Sequence, residues 1–147
     1  MASSSGGHLE QLQCLSALSA RYDCVLVTEK TSYAISPWQK KVYLLPQVNR
    51  KECWILFRMF AIVCQSLCIL IREKPEAIIC TGVLATVPLC MLGKLFGKKV
   101  IFIESFAKRY SATRTGKLVY RFADVFIVQW DSMKEVYPKA IVGGPIY

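Results

Sequence analysis

The sequence predicts an α/β domain built on a parallel, Rossmann-like sheet, and three observations carry that prediction. Short β-branched runs alternate with helical patterns from Asp23 to the end, as in consecutive βαβ units. A glycine-rich turn, Ser3-Ser4-Ser5-Gly6-Gly7, leads straight into a helical pattern, an arrangement typical of this architecture. The 147 residues suffice for one hydrophobic core and are too few for two ordinary domains, so 1–147 is expected to be a single domain.

The elements follow in order. A turn of this kind normally leaves a buried strand, yet only Met1 and Ala2 precede Ser3, so the first strand is expected to be missing or truncated. Helical spacing then runs from Leu9 to Ala20, and strands are expected at Cys24–Glu29 and Val42–Leu45. A long helix is expected from Glu52 to Glu73, then a strand at Ala77–Cys80, a helix from Ala85 to Phe96 and a strand at Val100–Glu104. Gly116 to Phe122 reads as helix, Val125–Val128 as strand, Ser132 to Val136 as a short helix and Ala140–Val142 as a last strand.

The long helix is unusual in composition. From Trp54 to Ile71 it holds 15 apolar residues in 18, close to a membrane span in length. Lys51, Arg58, Gln65 and Arg72 recur every seventh residue and so share one narrow stripe. Such a stripe suits a helix lying in a membrane interface, with Trp54, Phe57, Arg58, Phe60 and Ile62 as contacts; a buried core helix is the alternative. Spanning conflicts with topology, because strands before and after the helix would fall on opposite sides of the bilayer.

Nineteen Lys and Arg against ten Asp and Glu give a net charge of +9, which favours an anionic neighbour such as a lipid headgroup or a pyrophosphate. Eight of the basic residues lie between Lys94 and Arg121, read either as a solvated face or as an anionic-lipid contact. Nucleic acid is disfavoured, since no recognition helix, zinc spacing or RNP-type motif accompanies the charge. Seven cysteines without a C-x-x-C pair point to a reduced, cytosolic-side protein, and neither a metal nor a cofactor is expected.

His8 is the single histidine and stands at the mouth of the glycine turn, where an imidazole can accept a hydroxyl proton; helix capping is the alternative reading. Ser5, Gly6 and Gly7 let a ligand approach backbone N–H groups. In open α/β sheets ligands bind beyond the carboxyl ends of strands, which adds Thr81, Gly82, Glu104 and Ser105, and Gln129, Trp130 and Asp131 after the Val125 strand. Glu104 can orient His8, bind a sugar hydroxyl, or pair with Lys108 or Arg109. The turn is not G-x-G-x-x-G, so a dinucleotide site is not supported.

The series GGH, EKP, TG, P-x-C, ESFA, TGKL-x-Y and AD-x-F-x-VQW, spread over nearly the whole chain, resembles a known family. It is similar to the membrane-side subunit of the eukaryotic two-component UDP-GlcNAc transferase acting on dolichol-linked oligosaccharide. It looks still more like the bacterial PssD type of capsule and exopolysaccharide synthesis, the β-1,4-galactosyltransferase enhancers. The resemblance implies the N-terminal half of a GT-B glycosyltransferase, related to MurG, whose nucleotide-sugar-binding half is a separate partner polypeptide. It also implies a place on the cytoplasmic membrane face, in the bacterial case the inner membrane, and an N-terminal membrane helix in eukaryotic relatives that has no counterpart before Ser3.

For particular residues, the resemblance implies that Gly6, Gly7 and His8 lie at the acceptor and transfer site with Glu104, Ser105 and Phe106 nearby. Lys108 stands where relatives often carry Arg, a weaker match for a phosphate contact. The tail Gly143, Gly144, Pro145, Ile146 and Tyr147 is implied to dock on the partner. The implied reaction is an inverting displacement in which His8 deprotonates a hydroxyl of a lipid-linked acceptor and the partner holds the UDP-sugar. A non-catalytic scaffold recruiting that partner is the competing expectation.

Overall fold

The computed structural model describes residues 1–4, 6–30, 39, 41–48 and 54–146. Among these residues six strands, β1 Val25–Glu29, β2 Lys41–Leu45, β3 Ala77–Cys80, β4 Lys99–Ile103, β5 Val125–Val128 and β6 Ile141–Val142, are all paired in parallel. Four α-helices accompany them: α1 Gly7–Gln13, α2 Ile55–Glu73, α3 Val87–Leu95 and α4 Arg114–Val119. Short 3-10 turns at Ser16–Ala20, Leu84–Thr86 and Asp131–Lys134 complete the connections.

The first strand, expected to be missing or truncated, is present over a short length only. Ala2 bridges both Val27 of β1 and Cys80 of β3. Its N–H donates to the Ile79 carbonyl at 2.7 Å, and the N–H of Ser3 donates to the Val27 carbonyl at 3.0 Å. In return, the Met1 and Ala2 carbonyls accept from Val27 and Thr81. Residues 1–3 therefore join β1-β2 to β3-β4-β5-β6, in the order β2-β1-(1–3)-β3-β4-β5-β6. This central position delivers the glycine turn to the carboxyl edge of the sheet.

One face of β3, β4 and β5 is buried and the other is mostly half-buried, so both faces carry apolar residues and the strands read as apolar runs. Val27, Leu45, Ile78, Val100, Phe102, Phe126 and Val128 form one core with Ile62, Ile69 and Leu70 of α2 and Leu89 and Cys90 of α3. Gly93 of α3 permits that packing, because a Cβ there would lie 2.2 Å from Ile78 Cδ1.

Helix α2 ends where Lys74 turns left-handed at φ 43° and donates its N–H back to Leu70, with Pro75 following. Its buried residues are Ile62, Ser66, Ile69 and Leu70, so Ile62 faces the sheet and is not an outward membrane contact, contrary to expectation. At 100° per residue, Arg58, Gln65 and Arg72 run along the flank of that buried face; Lys51 lies outside the described residues. Arg58 donates to the Gln47 carbonyl at 2.9 Å, tying the helix to the segment after β2.

The side facing away from the core is apolar. Leu56 is 81% exposed, and Trp54, Phe57, Phe60, Val63 and Ile71 are exposed with it. Helix α3 packs beside α2 and leaves Met91, Leu95 and Phe96 exposed as well. Although α2 is long and apolar enough to cross a membrane, it joins β2 to β3 within one parallel sheet and contributes to its core.

Candidate functional site

The site begins with the turn between residue 3 and α1. Gly6 takes φ +75°, a conformation costly for side chains with a Cβ, and its carbonyl accepts from the N–H groups of Leu9 and Glu10. His8 thus falls in the first helical turn, beyond the carboxyl end of the central strand segment. Its carbonyl accepts from Thr81 Oγ1 at 2.9 Å, and its ring lies over Gly82. A Cβ on Gly82 would stand 3.3 Å from His8 Cε1 and 3.4 Å from Nδ1, while Gly82 itself has φ +128°. The next residue, Val83, is also left-handed at φ 74°, a strained state for a β-branched residue. Thr86 Oγ1 holds this turn, lying 2.9 Å and 2.8 Å from the Gly82 and Val83 carbonyl oxygens.

His8 is half-buried, and its Nδ1 has no hydrogen-bond partner among the described residues. Burial pulls the imidazole below its ordinary pKa of 6.5, while the Thr81 backbone and the negative charge of Glu104 pull the other way. The ring is therefore neutral at neutral pH and able to accept a proton.

Glu104 is placed differently from the expectation that it orients His8. Its side chain is only 2% exposed and both carboxylate oxygens are occupied. Ser105 N–H donates to Oε1 at 2.9 Å, Tyr137 O–H to Oε2 at 2.8 Å, and Thr113 approaches through its N–H and its hydroxyl. Thr113 is also the N-cap of α4, accepting from Gly116 N–H at 2.8 Å. Burial first, and then the carboxylate, raise the Tyr137 phenol far above its usual pKa, keeping it a donor. The Glu104 carbonyl accepts from Gln129 at 2.9 Å and Gln11 at 3.3 Å. Glu104 is a hub that shapes the loop after β4, and it influences His8 through charge alone.

Two clefts of about 560 Å³ each meet at His8. One passes between Gly7, Gln11, Ser105 and Phe106. The other is bounded by Glu29, Gly82, Glu104, Lys108 and Arg114. Gly7, Ser105 and Phe106 thus line the first cleft and Gly82 and Lys108 the second, whereas Thr81 is fully buried and holds the His8 carbonyl through its hydroxyl. Gly6 shapes the turn, and Ser5 lies outside the described residues. Phe106 packs on Trp130 with ring centroids 4.9 Å apart, and Arg109 covers the Trp130 ring at 3.8 Å. Within the basic run, Lys94 pairs with Asp124 at 2.5 Å, and Lys108 and Arg114 line the second cleft.

The tail is ordered against β5: Gly143 N–H donates to Val128 and Ile146 N–H to Gln129 Oε1 at 3.1 Å. Gln129 thereby connects residues 143–146 to the Glu104 loop; Tyr147 lies outside the described residues. Sequence reasoning reached Gln129 through its place after β5 but missed Glu29, Thr113 and Tyr137. Of these, only Glu29 had a signal, since VLVTE ends β1 on an acid as VIFIE does at the end of β4. Among the described residues, no group of three His, Cys, Asp or Glu side chains gathers as a metal site.

A parallel α/β sheet with its clefts beyond the strand ends and a glycine turn at its centre defines a Rossmann-like fold of the MurG kind. The crystal structure of Acinetobacter baumannii MurG superposes with a TM-score of 0.66 at 14% identity, covering 87% of this chain and 40% of that one. The chain belongs to the Alg14-like family: the family model described as "Oligosaccharide biosynthesis protein Alg14 like" matches residues 40–146. Among its relatives, the UDP-N-acetylglucosamine transferase subunit ALG14 of Homo sapiens is 38% identical over 81 residues, 51% of this chain and 38% of that protein. The Mus musculus protein of the same name is 34% identical over 104 residues, 65% and 48% of the two chains. That of Schizosaccharomyces pombe is 29% identical across 92% of this chain and 77% of its own length. The chain thus spans less than half the length of these mammalian relatives.

Proposed function

We propose that this chain is the acceptor-side, membrane-facing subunit of a two-component UDP-N-acetylglucosamine transferase in oligosaccharide biosynthesis. The observation that carries the reading is one domain with two faces: a half-buried, neutral His8 in clefts at the sheet edge, and an exposed apolar surface on α2 and α3. Each large side chain inserted from that surface contributes up to about 1.5–3 kcal/mol of transfer free energy, enough for Trp54, Leu56, Phe57 and Phe60 together to hold the domain at an interface. The helix lies in the cytoplasmic face of the membrane, and residues 1–147 act as a single unit with it.

In the proposed reaction His8 takes the proton from an acceptor hydroxyl, whose oxygen attacks the anomeric carbon of the sugar. The bond to UDP breaks on the opposite face, and UDP leaves with the bonding electrons, giving inversion. The partner subunit holds the UDP-sugar, and residues 143–147 dock on it. Lys108 and Arg114 suit the pyrophosphate of a lipid-linked acceptor, being cations that line the cleft with His8. The scaffold reading leaves His8 without a role. A narrower assignment, to PssD-type capsule or exopolysaccharide synthesis at the bacterial inner membrane, rests on the motif series alone, and donor and acceptor screening decides it.

The test measures sugar transfer by this chain, by a candidate nucleotide-sugar-binding subunit, and by the mixture. Transfer by the mixture alone is expected. Full turnover by either protein on its own would remove the two-component reading.

A further inference from the structure

From the lining of the second cleft, we infer that Glu29 is the carboxylate that hydrogen-bonds the acceptor sugar's hydroxyl groups beside His8. The inference rests on the acceptor-side reading above and deepens it. Glu29 ends β1, the strand that flanks residues 1–3, so it reaches the sheet edge next to the turn that carries His8. Both residues line the same cleft.

The two acids there differ in what they have left to offer. A carboxylate can accept about four hydrogen bonds. Glu104 is already engaged by Ser105, Thr113 and Tyr137. Glu29 is 8% exposed, yet its only partner among the described residues is the Val48 N–H, 3.5 Å from Oε1. A buried carboxyl with so little compensation is costly unless something else supplies donors. Burial raises its pKa, in keeping with that deficit.

The charge in the cleft says which part of an acceptor meets it. Lys108 and Arg114 attract a pyrophosphate, whereas Glu29 repels one, so Glu29 is matched to the neutral, hydroxyl-bearing ring. With cations for the phosphates, a carboxylate for ring hydroxyls and a neutral imidazole for the reacting one, the cleft has a complementary group for each part of a sugar pyrophosphate. The sugar is then oriented before His8 acts.

The experiment compares wild type, Glu29→Gln and Glu29→Ala in the reconstituted pair, with UDP-N-acetylglucosamine as donor and a polyprenyl pyrophosphoryl N-acetylglucosamine as acceptor. Loss of a charge-assisted hydrogen bond is expected to raise the acceptor KM by about 10-fold or more in Glu29→Ala and less in Glu29→Gln, with the donor KM unchanged. Melting temperature and partner affinity identify a folding defect, and the isosteric Gln variant keeps the shape if Ala does not fold. Unchanged acceptor KM in folded, partner-bound variants would overturn the inference, as would a fall in kcat with both KM values intact. Acceptor binding to this chain alone, in nanodiscs, is the second readout. If the wild-type mixture transfers no sugar while that binding still depends on Glu29, the transferase reading fails and the Glu29 site stands.

Discussion

Replacing Glu104 by Ala separates a structural hub from a catalytic acid. The substitution removes the acceptor for the Tyr137 hydroxyl, which is buried, and for the donors of Ser105 and Thr113, which are half-buried. A buried donor left unpaired costs about 1–3 kcal/mol, and the half-buried ones recover part of theirs from water, so a total of about 3–5 kcal/mol is expected. For a domain of this size that lowers the melting temperature by about 10 °C or more. Gly116→Ala attacks the same hub from the other side, because its Cβ would lie 2.2 Å from Glu104 Oε2 and 2.5 Å from the Tyr137 oxygen. Alone it is expected to cost about 1–3 kcal/mol through overpacking. In the double variant the clash with the carboxylate is gone, so the two effects add to less than their sum. Thermal and urea unfolding in mild detergent measure both. A Glu104→Ala melting temperature within about 2 °C of wild type, or strict additivity with Gly116→Ala, would refute the hub.

Three other outcomes follow from the same geometry. As the single histidine, His8 gives one imidazole NMR titration, expected with a midpoint below 6.5; the unfolded chain binds more protons just below that pH, so the stability due to neutral His8 is intact above it and is lost as pH falls through the folded midpoint. Gly82→Ala places a methyl group against the His8 ring on a backbone at φ +128°, and is expected to destabilise the domain by about 1–3 kcal/mol and to shift that titration, both readable in one NMR series. Phe57→Ser combined with Phe60→Ser is expected to weaken binding to anionic phospholipid vesicles by about 10-fold or more at unchanged melting temperature, since both side chains are exposed; vesicle co-sedimentation and a melting curve check it.

How far the sequence could be read depended on whether a feature was local. The strands at Ala77–Cys80 and Val125–Val128 match the expected residues, because each is a short apolar run bounded by turn signals. The expected helix from Leu9 to Ala20 instead breaks after Gln13 and resumes as a 3-10 turn at Ser16, where the Ser19 hydroxyl bonds the Ser16 carbonyl and competes with helical pairing. On α2 the seven-residue stripe is real, but apolar residues lie on both sides of it. Periodicity alone therefore leaves open which side meets the sheet, and only the packing shows that Ile62 faces inward.

The candidate site divides in the same way. The turn carrying His8 was legible as a glycine-rich run leading into a helical pattern, and the loop at Ser105 and Phe106 because it follows a predicted strand. The role of Glu104 was not, since its partners come from nine and thirty-three residues away through Thr113 and Tyr137. Residues 1–3 are too short to read as a strand, and only pairing on both sides makes them one. Thr81 looked like a ligand contact from its place after β3, while its hydroxyl is directed to the His8 carbonyl.

The most direct test of the central claim, that this chain supplies an acceptor-side catalytic group as well as a membrane face, is kcat for the reconstituted pair carrying His8→Ala. The account predicts a fall of about 100-fold or more, as for loss of a general base, with partner affinity and vesicle binding unchanged. Wild-type kcat from an intact, membrane-bound His8→Ala complex would contradict it and leave the chain as a scaffold.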